Sequence, residues 1–164
     1  MEIDRERVRR TRRWVADRDE VIVPLINRVR SDLASAFDVE VAAVERSDYR
    51  DEVDAVFEEV DLAVNVTCLV ELLRRIDIAD DYPGFIVDEL LGRELAGSIA
   101  GEQPLRLLGE ATFHFADVAV QPTDETTAGL DDLDAALAAG FQTRLPGWPW
   151  RARPGPFGSP RENP

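Results

Sequence analysis

The sequence predicts an all-α protein: a bundle of four to six helices across residues 4–141, followed by a disordered or extended Pro-rich tail at 146–164. Three observations carry that expectation. Val8, Val15, Ile22, Val29 and Ala36 recur at seven-residue spacing, the repeat of one helical face. Residues 49–76 hold a second long apolar stripe of helical period. Six of the ten prolines and three of the ten glycines fall in the last 19 residues, a composition that favours extended chain over a core. One folded domain over residues 1–145 follows. The alternative is an α+β fold, with short strands near 37–45 and 112–120.

Residues 4–36 read as helix, widened on its apolar side by Leu25, Ile26 and Leu33. The companion column holds Thr11, Arg18, Leu25 and Asp32, so no coiled-coil seam is expected. Pro24 lacks the amide a helix needs, which implies a kink or a break near Asp17–Asp19. Phe37, Val39 and Val41 then alternate with Asp38 and Glu40, a strand-like period.

Asp48 can cap a helix from about Tyr49 to Ile76, whose C-terminal Arg74–Arg75 pair suits the helix dipole. Asp80-Asp81-Tyr82-Pro83 reads as the next helix start. That helix is lined by Phe85, Ile86, Leu90, Leu91, Leu95 and Ile99 and ends at Gly101. Gly92, Ala96 and Ala100 fall four apart, a smooth strip suited to ordinary tight packing. Pro104 opens a further segment whose second half, TFHFADVAV, is apolar nearly all round. It reads as helix, with strand as the alternative. A last helix over 129–139 buries Leu130, Leu133 and Leu137, with Gly140 as a left-handed cap.

Composition bounds the setting. All 19 basic residues are Arg against 33 Asp plus Glu, for a formal net charge of −14. An average composition would supply roughly ten Lys. Carboxylates hold water and cations, and self-repulsion is screened over about 3 Å at molar salt. The composition resembles that of halophilic proteins, and a GC-rich genome would account for the missing Lys but not for the acid excess. The charge is also segregated: net +3 over residues 1–30, −20 over 31–143 and +3 over 144–164. A lone cysteine, Cys68, fits a reducing interior. With no signal-peptide pattern and no long uncharged apolar run, the expectation is a cytoplasmic protein outside the membrane.

The same residues disfavour most catalytic chemistries. One His, His114, leaves paired Glu-x-x-His or His-x-His ligation impossible, and no calcium-loop pattern occurs. There is no Gly-x-Ser-x-Gly turn, phosphate-binding Gly loop or dinucleotide fingerprint. Without Lys there is no Schiff base. Cys68 reads as a small core residue, His114 as a packed or partly exposed one. Adjacent acids such as Glu58–Glu59 and Asp131–Asp132 read as solvated surface. No catalytic, cofactor or metal residue is assigned.

Two segments point to partners instead. The N-terminal run includes Arg9, Arg10, Arg12 and Arg13, able to meet phosphates or to dock on the protein's own acidic middle. Intramolecular docking is favoured. The tail places Trp148, Trp150, Arg151 and Arg153 among prolines, and Trp and Arg dominate binding hot spots. The expectation is a non-enzymatic, self-associating interaction or adaptor protein, with a protein partner or a second copy. A nucleic-acid-associated regulator is the alternative, and a small-molecule-binding or enzymatic bundle a further one.

Overall fold

A computed structural model describes residues 1–76, 87–120 and 128–149, and among them the chain is helical with no strand. The helices are α1 (Arg5–Asp17), α2 (Asp19–Phe37), α3 (Arg46–Glu58), α4 (Val60–Arg75), α5 (Val87–Ala100), α6 (Leu105–Ala119) and α7 (Ala128–Arg144). The all-α expectation holds. Among the described residues the count rises to seven because both long N-terminal stripes are split. The helix start expected at Asp80–Pro83 lies outside the described residues.

Residues 4–36 form two helices joined at Arg18 (φ −80°, ψ 8°). Asp4 caps α1, its carboxylate accepting from the Arg7 amide at 2.7 Å. The second stripe breaks at Glu59 (φ −80°, ψ 110°), so one expected helix becomes α3 and α4. The expected cap also moves: Glu45 precedes α3, and its amide donates to the Asp48 carboxylate at 3.1 Å in a capping box.

Residues 38–45 form a linker, not a strand. Asp38 takes the left-handed conformation (φ 52°) that ends α2, while the Val39 amide returns to the Ala34 carbonyl at 2.9 Å. Phe37 is left 70% exposed. The linker's backbone groups find side chains where a strand would need a neighbour. Asn27 accepts from the Val44 amide at 2.8 Å and donates to its carbonyl at 3.0 Å. The second strand alternative also fails. Residues 112–119 are the end of α6, with Phe113, Ala116 and Ala119 buried on one face.

Helix α7 is the axis of the fold, packing most extensively on α5 and α6 and also on α2, α3 and α4. Leu133, Ala135 to Ala139 and Phe141 are all fully buried. Its short side chains admit neighbours on every side. Gly140 does not cap the helix: α7 runs on to Arg144, and Gly140 lies where α5 crosses. A Cβ there would sit 2.8 Å from the Ile99 Cβ and 3.0 Å from the Ala96 carbonyl oxygen. The α5 strip packs as expected, Gly92 against the Phe113 ring and Ala96 and Ala100 against Gly109.

The N-terminal half joins this core with Val15, Ile22, Val53 and Val66, and adds polar contacts to it. The Tyr49 hydroxyl, buried between α1, α3 and α7, donates to the Val15 carbonyl at 2.8 Å. Its ring meets Phe141 edge-on with centroids 5.3 Å apart. Burial pushes the Tyr49 hydroxyl well above its ordinary range, so it stays a neutral donor. Arg74 on α4 stacks over the Trp14 ring at 4.3 Å, tying α1 to α4.

Candidate interaction surfaces

Helix α1 divides its arginines between two faces. Arg12 reaches across to Asp54 on α3 with two nitrogens, at 2.8 and 2.9 Å. Arg7 reaches Glu71 on α4 at 3.3 Å, and Arg74 and Arg75 approach the same carboxylate at 3.4 and 3.2 Å. Arg9 and Arg13 stay on the solvent face, near Glu6 of their own helix at 3.7 and 3.8 Å. Arg10 is exposed and has no ion pair among the described residues. The basic run is therefore part brace, part surface, with Glu6 set into the exposed part.

The start of the tail is docked. Trp148 is buried, and its indole N–H donates to the Gln142 side-chain oxygen at 3.0 Å. The Arg30 guanidinium lies over the same ring at 5.5 Å. Arg30 is itself almost wholly buried, donating to the carbonyls of Ala42 (3.1 Å), Gln142 (3.0 Å), Leu145 (2.9 Å) and Pro146 (2.6 Å). Sequence reasoning missed Arg30; its one signal is that it follows the apolar column at Val29 in the midst of a buried face. Trp150, Arg151 and Arg153 lie outside the described residues. Beside Arg30 an open groove of about 570 Å³ is lined by Asn27, Ser31, Ala34, Val39 and Val41.

Asp132 overturns the reading of Asp131–Asp132 as solvated surface. Three helices bring Asp88 (α5), Asp117 (α6) and Asp132 (α7) together, with Asp88 and Asp132 buried. Burial, then hydrogen bonding and the charge of Asp88 and Asp117, push the Asp132 carboxyl up to about 8. Asp117 is also raised, chiefly by burial. Neutral Asp132 can share its proton with its neighbours. Among the described residues, no three His, Cys, Asp or Glu side chains converge as a metal cage.

The other side chains singled out above stand apart. Cys68 is half-buried on α4, and His114 is exposed on α6.

The exposed face of α6 is apolar along its length. Leu107 is 59% exposed, Phe115 44% and Val118 72%, with Ala111 and His114 also exposed among them. Their spacing of four, four and three sets Leu107, Ala111, Phe115 and Val118 in one stripe. Helical periodicity puts Arg106, Glu110 and Asp117 on one flank, and Arg106 there pairs with Glu94 and Glu110. No carboxylate shares the stripe itself. On α4, by contrast, exposed Val60, Val64 and Leu72 are interleaved with Asp61, Glu71 and Arg75.

Among the described residues, fold and surface together define a helical domain with a central buried helix and an uncharged exposed face on α6. The chain belongs to the family described as domain of unknown function (DUF7984), whose model matches residues 1–161. No curated protein and no solved structure matches it.

Proposed function

We propose that this chain is a non-enzymatic helical interaction protein of a salt-rich cytoplasm, and that it binds through the exposed face of α6. The observation that carries the reading is the stripe of Leu107, Ala111, Phe115 and Val118 on a molecule of net charge −14. An apolar face without a carboxylate is an attractive surface when water and cations coat the remainder. Arg12 and Trp148, two of the residues expected to bind partners, make contacts within the domain, which favours a different surface.

The test is photo-crosslinking in the native cell, with a photoreactive residue at Phe115 or, as control, at exposed Asp51 on α3. Stoichiometric adducts at position 115 and none at 51 are expected. Equal labelling at both positions, or none at 115, would remove the reading. The salt component has its own test: helical circular dichroism should strengthen as KCl rises from dilute to molar, and an unchanged signal would return the composition to codon bias.

The nucleic-acid reading retains one observation in its favour, the exposed Arg9, Arg10 and Arg13. Replacing these three with Ser, while leaving Arg12 on Asp54, tests it directly. Unchanged duplex affinity in the variant would remove this role.

A further inference from the structure

We infer that the occupant of the α6 face is a second copy of this chain, packed antiparallel about a two-fold axis. This deepens the interaction reading and rests on it. The stripe supports such a match because reversing it sets the bulky ends (Leu107, Val118) against each other and brings Phe115 beside the small Ala111. Antiparallel pairing centred between Thr112 and Phe113 sets Leu107 of one copy over Val118 of the second, and Ala111 over His114.

The charges on the flank select the orientation. A two-fold axis keeps the flank bearing Arg106, Glu110, His114 and Asp117 on the same side in both copies, in reversed order. Glu110 then lies beside His114 of the second copy, and Arg106 beside its Asp117, each contact occurring twice. A parallel two-fold would instead carry this flank to opposite sides of the contact in the two copies, where neither of these opposite-charge contacts could form.

Size and salt set the strength. Fifteen residues of α6 span roughly 22 Å at 1.5 Å each, so the contact falls at the small end of specific interfaces. The dimer is therefore concentration-dependent. Two copies of net charge −14 also repel until salt shortens the screening length to about 3 Å at 1 M, so association strengthens with KCl.

Sedimentation equilibrium of the full chain across a KCl series reads this directly. A dimer at molar KCl is expected. Val118→Glu should weaken it by about tenfold or more while circular dichroism stays unchanged, because a carboxylate is desolvated in the contact. His114→Asp should weaken it, and His114→Arg strengthen it. For orientation, Leu107→Cys and Val118→Cys chains are mixed in a Cys68→Ser background. Mixed disulfides between positions 107 and 118 are expected to exceed same-position pairs.

A dimer indifferent to Val118→Glu, or one that crosslinks chiefly 107 to 107, overturns the inference. So does a monomer at every KCl concentration. If that monomer still labels a different protein from position 115 in cells, the interaction reading survives; if it labels nothing, both fall.

Discussion

Arg18 and Asp134 form a two-point ion pair across the molecule, Nε to Oδ1 at 2.7 Å and an outer nitrogen to Oδ2 at 2.6 Å, although 116 residues separate them. The pair fastens the α1–α2 junction to the central helix, and Trp14 lies under the same guanidinium at 4.9 Å. Burial raises the Asp134 carboxyl while Arg18 opposes that rise. Removing the arginine leaves a carboxylate that is nearly inaccessible to solvent. Arg18→Ala should therefore cost about 3 kcal/mol in denaturant unfolding, and Arg18→Leu with Asp134→Leu should recover most of it. A loss no larger in the single variant than in the double one would refute the pairing's role.

The acidic cluster predicts an unusual pH response. Protons bind Asp132 more tightly in the folded chain than in the unfolded one. The stability from this group is thus fully present below the ordinary carboxylate value of about 4 and declines as pH rises above it. It is lost as pH passes through about 8. Asp132→Asn keeps the side chain's shape without the titration. The variant should exceed the parent in unfolding free energy at pH 9, with the gap narrowing at pH 5. A gap independent of pH would show that Asp132 does not titrate with folding.

Gly140 offers a packing test with two opposed effects. Alanine would improve helix propensity by about 1 kcal/mol. The added methyl would meet Ile99 at 2.8 Å and the Ala96 carbonyl at 3.0 Å, and the second of these is backbone, which cannot swing away. Overpacking of this kind costs about 1–3 kcal/mol, so Gly140→Ala should lower the thermal midpoint. A raised midpoint would show that α5 and α7 can part without loss.

Arg30 presents five N–H donors in a planar fork, against three on an ammonium. Four carbonyls use that fork. Arg30→Lys should lose about 1–2 kcal/mol and Arg30→Met about 3 kcal/mol or more. Both should expose residues 146–149 to limited proteolysis. Unchanged protection would mean that Trp148 alone holds the segment.

What the sequence made legible was local. The period of residues 4–36 and 49–76, the smooth α5 strip and the helix after Pro104 are properties of neighbouring residues, and each reappears in the structure. The misreadings share a cause. Gly140 resembles a cap because caps and tight crossings both favour a residue without Cβ; only α5 distinguishes them. Asp132 reads as surface because its partners, Asp88 and Asp117, come from other helices. Alternation at Phe37, Val39 and Val41 suggests a strand, yet Asn27 and Arg30 satisfy backbone groups of the linker from 17 and 12 residues away. The break at Glu59 has no Pro or Gly to announce it. At the candidate surface, the exposed Phe115 and Val118 lie within a segment that is apolar nearly all round, with Leu107 just before it, so exposure could be assigned only once α7 and α5 had claimed the other sides.

The anchorage of Arg30 has a mechanical consequence. Its guanidinium gathers carbonyls from the end of α7, from Pro146 and from the 38–45 linker, and it projects from the middle of α2. Tension applied to the chain beyond Pro149 is therefore delivered sideways into α2 before it can unwind the last turn of α7. Residues 145–149 are a handle attached to the interior of the bundle.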